Sequence, residues 1–179
     1  MTAEVRRQAV HIVFGLLVVL LHATGVITTF HYTLFFLLCV LVFIFNLLVP
    51  LFTPLFAYFE ERGVQYPAIG ALSYVFGIQL ALLLPEPASY AAIFVLCLGD
   101  GVATLIGRRG SHRLPWNRKK TWEGMLAGMA AAVVGALVFL PVLLAVAAGA
   151  LALLAESIDV PVDDNISIPL IVGAIVAIL

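Results

Sequence analysis

Long apolar runs broken by short polar punctuation dominate the chain. The first covers residues 9–27 and the second 32–56, where Pro50 and Pro54 bend or end its far part. After Glu60-Glu61-Arg62-Gly63 a third run covers 67–84, and Pro85-Glu86-Pro87 separates it from a fourth over 89–107. These runs approach the ~20 apolar residues that a helix needs to cross a hydrocarbon layer. From Gly124 to Ala155 no residue is charged. That stretch is long for one span and short for two, and Pro141 near its middle divides it into two short ones. A polar segment, 156–165, leads into a last short apolar run that ends at Leu179. The pattern predicts an all-α integral membrane protein: a single domain over 1–179, a bundle of about seven transmembrane helices, with six as the alternative.

Composition sharpens this reading. Of 179 residues, 64% are hydrophobic and 11% charged, and the mean hydropathy is +1.17. A soluble domain carries roughly 25% charged residues, so this chain cannot cover a water-facing globule, and a separate soluble catalytic domain is excluded. The first run reads as a retained anchor, because Glu4 lies among the first charges, the apolar stretch is too long and no A-x-A site follows. Cys39 and Cys97 sit far apart in apolar runs and read as small packing residues.

The net charge of −1 is uninformative, but its distribution is not. All nine basic residues lie in three places: Arg6 and Arg7; Arg62; and Arg108, Arg109, Arg113, Arg118, Lys119 and Lys120. With the spans above, these fall on one side of the membrane, and the opposite breaks at 28–31 and 85–88 hold none. The positive-inside rule makes that side cytoplasmic. The expectation is a multi-pass protein of the cell membrane with its N-terminus, a basic loop at 108–123 and an acidic segment at 156–165 on the cytoplasmic face. No nucleic-acid partner is expected.

Candidate chemistry clusters in that loop and segment. Gly99-Asp100-Gly101 is followed by Gly107-Arg108-Arg109-Gly110 and by Lys119-Lys120-Thr121-Trp122-Glu123-Gly124. A carboxylate near the end of a span is costly and functional by default, and flanking glycines admit close approach of backbone or ligand. A carboxylate beside clustered cations suits a metal–polyphosphate complex, the acid holding Mg²⁺ and the bases neutralising phosphate oxygens. A purely structural reading makes Asp100 a buried salt-bridge partner and the loop an anchor on anionic headgroups. Glu156-Ser157 with Asp163-Asp164-Asn165 offers hard oxygen ligands or a base for a hydroxyl proton, or else a solvated turn that caps the last helix. Glu4, Arg7 and His11 share one helix face; Glu4 can pair with Arg7, while His11 points into the bundle or onto a phosphate. Pro67 fits a first helical turn, and Gly70, Ser73 and Gly77 make a small-residue packing face near Tyr74. Walker A, G-x-G-x-x-G, H-E-x-x-H and G-x-S-x-G motifs are absent.

These blocks resemble the polyprenol kinase family of dolichol, phytol and CTP-dependent diacylglycerol kinases. The resemblance rests on Glu-Val-Arg-Arg…His…Gly (Glu4 to Gly15), Pro-x-Ile-Gly-x-x-x-Tyr (Pro67 to Tyr74), Gly-Asp-Gly-x-Ala…Gly-Arg (Gly99 to Arg108), Lys-Lys-Thr-x-Glu-Gly (Lys119 to Gly124) and Asp-Asp-Asn-x-x-Ile-Pro (Asp163 to Pro169). It implies a site on the cytoplasmic face where the γ-phosphate of Mg·CTP passes to a membrane alcohol such as dolichol, polyprenol or geranylgeraniol. Carried over residue by residue, it implies Asp100, Asp163 and Asp164 as metal ligands, with Asp163 or Asp164 also able to accept the hydroxyl proton. Arg108, Arg113, Lys119, Lys120 and Thr121 would contact the nucleotide beside Gly99 and Gly101, Asn165 would place the acidic pair, and Glu123 would orient a lysine or the metal. Glu4, Arg7 and His11 would support the site.

A rival resemblance is to CTP:phosphatidate cytidylyltransferase or its archaeal-lipid counterpart, which shares the Asp…Gly-Arg and Lys-Lys-Thr-x-Glu-Gly runs and makes a CDP-lipid. Its later Gly-Gly…Asp-Arg block is missing here, and Asp-Asn-x-x-Ile-Pro stands in its place, which favours the kinase. A non-catalytic transporter or scaffold ranks third, because it leaves three charged blocks on one face unexplained.

Overall fold

The computed structural model describes residues 2–59, 68–159 and 161–179. Glu60-Glu61-Arg62-Gly63 and Pro67, named above, lie outside them. Helices run over α1 (Ala3–Ala23), α2 (Thr29–Leu48), a short α3 (Thr53–Phe59), α4 (Ile69–Leu82), α5 (Ala88–Gly107), α6 (Trp122–Ala136), α7 (Val142–Glu156) and α8 (Asp164–Ile178). The punctuation read from the sequence falls where the helices stop. Pro50 follows α2, and Pro141 stands at the N-cap of α7, so residues 124–155 make two helices rather than one.

Three helices, α1, α2 and α5, are long and apolar enough to cross a membrane; α4, α6, α7 and α8 are apolar but have only 14–15 residues. At 1.5 Å per residue these four are about 22 Å long, against about 30 Å for the others.

The outside of the bundle is apolar. On α2 only Tyr32 and Asn46 are buried, while Leu34, Leu38, Leu41 and Ile44 are exposed. On α1 the inward face instead carries Glu4, Gln8 and His11 before turning to Gly15, Val18 and Val19. Polar groups inside and leucines outside suit a helix whose solvent is lipid.

Inside, α6 packs against α5 and α7, and α8 against α4 and α7. Small residues permit this. A Cβ on Gly128 would strike Ala103 and the Gly99 carbonyl of α5, and one on Gly149 would strike the backbone of Val133 in α6. Such close backbone approach is the ordinary device for helix association in lipid.

Within α5 the stretch Val95–Asp100 winds as a π-helix, a register that recurs at functional sites. The basic loop is an ordered hairpin. An isolated bridge joins Arg113 and Thr121, the Leu114 amide donates to the Lys120 carbonyl (3.0 Å), and the Trp122 amide donates to the His112 carbonyl (2.9 Å). Leu114 is fully buried and pins the hairpin, while Trp116 Nε1 and Asn117 Nδ2 donate to Ser157 Oγ and O, both at 3.1 Å. The basic loop and the acidic segment are thereby held against each other at one end of the bundle. At the far end His22 of α1 meets Tyr90 of α5 (3.0 Å) and Thr29 of α2 (3.2 Å).

Candidate active site

The end of α7, the start of α8, the π-helical stretch of α5 and the hairpin converge on a group of carboxylates. Oxygens of Asp100 (end of the π-helical stretch in α5), Glu156 (last residue of α7) and Asp164 (first of α8) all lie within 4.8 Å of one another. The hairpin places Lys120 among them: its Nζ donates to Glu156 Oε1 at 2.7 Å, to Asp164 Oδ2 at 2.9 Å and to the Glu156 carbonyl. Burial works against the charge on Lys120, but the carboxylates of Glu156 and Asp164 outweigh it and hold its pKa above the ordinary value. Hard oxygen donors at this spacing fit a divalent cation such as Mg²⁺.

From α1, His11 Nε2 lies 3.6 Å from Asp100 Oδ2, and its ring stacks on Tyr74 of α4 at 3.7 Å between centroids. The Tyr74 hydroxyl donates to the His11 carbonyl at 2.5 Å, which fixes both rings. One turn earlier, Gln8 donates through Nε2 to Glu4 Oε1 (2.8 Å), while its Oε1 is buried and, among the described residues, unpartnered. Thr104, one turn after Asp100, reaches Asp100 Oδ1 at 3.5 Å.

Two cavities meet at this cluster. The larger, about 620 Å³, has the carboxylates, Lys119, Lys120, Asp159 and Asp163 at one end and Val10, Phe14, Phe35, Leu55 and Val75 at the other. The smaller, about 430 Å³, is lined by Gly107, Arg108, Arg113, Thr121 and Gly124. Thr104, Lys119, Lys120 and Glu156 line both.

The other residues singled out in the sequence fall as follows. Asp163 is the N-cap of α8: it accepts from Ser73 Oγ (3.1 Å) and from the Asn165 side chain (2.8 Å), and it lines the larger cavity rather than joining the three-carboxylate group. Glu4 holds Arg7 at 2.8 Å and Arg108 at 3.9 Å. Arg113 donates to the Lys119 carbonyl (3.2 Å), and Lys119 pairs with Asp159 (3.1 Å). Thr121 caps α6. Glu123 accepts from the Ser111 and His112 amides and pairs with the His112 ring at 2.7 Å, so it braces the hairpin. Gly99 and Gly101 are packing positions, the first against Leu153 and Ala132, the second against Ile12.

Sequence reasoning grouped Glu156 with the acidic segment without seeing that it would face Asp100. It gave no part to Gln8, Asn117 or Thr104. For Gln8 the available signal was its place on the Glu4–His11 face.

The chain is 35% identical over 122 residues to a probable phytol kinase of Glycine max, covering 56% of this chain and 42% of that one. It is 42% identical over 67 residues to farnesol kinase of Arabidopsis thaliana, covering 35% and 22%. Over these segments the chain is similar to phytol and farnesol kinases. It spans less than half the length of these curated relatives. An uncharacterised protein of Methanocaldococcus jannaschii is 28% identical over 187 residues, 97% of this chain and 92% of that one. No family model and no solved structure matches.

Proposed function

We propose that this protein is a membrane kinase that transfers the γ-phosphate of CTP to the hydroxyl of an isoprenoid alcohol at the cytoplasmic face. The observation that carries the reading is the meeting of two unlike cavities at Lys120 and Glu156. One is apolar away from the cluster, as a lipid tail requires; the other is rimmed by glycines, threonine and arginines, as a polyphosphate requires. The similarity to phytol and farnesol kinases supports an isoprenoid acceptor.

In this reading the alcohol enters the larger cavity with its hydroxyl at the carboxylates and its tail among the apolar side chains. The triphosphate occupies the smaller cavity against Arg108, Arg113, Lys119 and Lys120, which disperse its charge. Asp100, Glu156 and Asp164 would hold Mg²⁺, which supplies Lewis-acid neutralisation of the phosphate oxygens. Asp163, on the acceptor side and outside that group, takes the hydroxyl proton as the alcohol oxygen bonds to the γ-phosphorus. The bond from the γ-phosphorus to the β–γ bridging oxygen breaks, and CDP leaves. His11, clamped by Tyr74, orients Asp100.

Purified protein in detergent, given Mg²⁺, a mixture of lipid alcohols with phosphatidate, and CTP labelled at the α or the γ position, tests this. The expected result is γ-label in a lipid monophosphate. α-Label in a CDP-lipid would make the protein a cytidylyltransferase, and no label from folded protein would leave a non-catalytic role.

A further inference from the structure

Among the described residues, the apolar arm of the larger cavity ends at Phe14 and opens sideways past Val10 and Leu55. Its walls are Val10 and Phe14 of α1 and Ala71, Tyr74 and Val75 of α4, with Phe35 of α2 and Leu55 of α3 across the gap. Phe14 forms the floor, its ring 5.9 Å from Phe35 and 6.2 Å from Tyr74. It stands three residues beyond His11, about 4.5 Å further along the helix axis.

Neighbouring hydroxyl anchors make this floor rigid. Tyr74 is tied to the His11 carbonyl, and Tyr32, packed on Phe35 at 5.7 Å, donates to the Val75 carbonyl at 3.2 Å. Below it the bundle is filled, with Val18, Val19, Ile78 and Cys97 all buried and Gly15 in contact range of Tyr74 and Cys97. Toward the lipid, by contrast, Val10 is 52%, Leu55 57% and Phe35 39% exposed.

We propose that the Phe14–Phe35–Tyr74 floor receives only the first isoprene unit of the acceptor and turns the rest of the tail sideways, past Val10 and Leu55, into the bilayer. This rests on the larger cavity being the acceptor site. A floor one turn below the carboxylates reads the methyl branch nearest the hydroxyl and has no contact with distant units. Selection therefore falls on branching close to the hydroxyl and is indifferent to total chain length. Flat aromatic faces suit a planar allylic unit.

The test has two arms. In the first, kcat/KM is measured for geraniol, farnesol, geranylgeraniol and a long polyprenol at matched surface concentration, with oleyl alcohol and dioleoylglycerol for comparison. The isoprenols should agree within a few-fold, and Phe14→Ala should reduce discrimination against oleyl alcohol by about tenfold. Phe35→Leu, a milder change, should move it in the same direction. A steep dependence on tail length, or discrimination unchanged in both folded variants, overturns the inference.

The second arm needs no turnover. Farnesol bearing a diazirine beside the hydroxyl should label peptides containing Phe14 or Tyr74, and a diazirine at the distal end should label Val10 or Leu55 or the detergent. Phosphorylation with distal labelling deep in the bundle overturns the floor alone. Labelling as expected without any phosphorylation keeps the floor and removes the kinase reading.

Discussion

Replacing Lys120 with methionine removes the one cation that this geometry inserts between Glu156 and Asp164, and the two partners respond differently. The Glu156 side chain is 5% exposed and is left as an uncompensated buried charge at 2.7 Å from the lost ammonium. Asp164 is 33% exposed, so water screens most of its share. Breaking a buried pair from one side costs about 3–5 kcal/mol. Because Glu156 can escape by taking up a proton, the lower end applies, about 3 kcal/mol, equivalent to a fall in Tm of about 6–12 °C for a chain of this size. On the proposed reading activity should fall further than stability explains, by about 10²–10³ in kcat, because the charge assigned to the phosphate is gone. The double variant Lys120→Met/Glu156→Gln isolates the stability effect: it should recover most of the Tm, with turnover still lost because Glu156 belongs to the proposed metal group. Thermal unfolding by tryptophan fluorescence in detergent and γ-labelled CTP transfer read the outcomes. A single variant with unchanged Tm would refute the buried ion pair, and a double variant with restored turnover would reduce Lys120 to a structural counter-ion.

Asp100→Asn should lower transfer by at least about a hundredfold while the protein elutes as folded; full activity would remove Asp100 from the reacting centre. Gly77→Ala puts a Cβ into the Asn165 carbonyl where α4 crosses α8, and overpacking of this kind costs about 1–3 kcal/mol. A lowered Tm with impaired transfer is expected, and an unchanged Tm would show that the two helices separate easily. Single cysteines placed at Ser111 and at Thr28 in a chain lacking Cys39 and Cys97 should react with an impermeant maleimide from opposite sides of sealed vesicles; reaction from the same side would overturn the positive-inside orientation.

The helix pattern was legible because prolines and charge clusters mark where apolar runs must stop, as at Pro50 and Pro141. The candidate site was legible in part. Asp100, Lys120 and Asp164 announce themselves as charges in an apolar chain, and the geometry brings them together. What selects Glu156 rather than Asp163 as the third carboxylate is not local. Asp163 is drawn into capping α8 and accepting from Ser73, while Glu156 arrives beside Asp100 through the packing of α6 and α7 on α5 at Gly99 and Gly128 and of α7 on α6 at Gly149. Glycines in an apolar run do not say which partner they admit. The π-helical stretch before Asp100 is equally silent in the sequence, because its residues, Val-Leu-Cys-Leu-Gly-Asp, would suit an ordinary helix. Glu123 misleads for the opposite reason: it sits two residues after Thr121, which bridges to Arg113, and its carboxylate turns back to the hairpin amides.

The unequal helix lengths carry a consequence for the surrounding medium. On the proposed multi-pass reading, a bundle with α1, α2 and α5 at about 30 Å and α4, α6, α7 and α8 at about 22 Å would present two wall heights to the lipid. Lipid beside the shorter wall must compress or the helices must tilt, at a cost of fractions of a kcal/mol per Å of mismatch. Glu156 and Asp164 stand at the ends of α7 and α8, so local thinning would bring the water boundary inward toward them. Bilayer thickness thereby becomes a mechanical variable coupled to the site, and reconstitution into lipids of graded acyl length would make turnover a gauge of membrane elasticity.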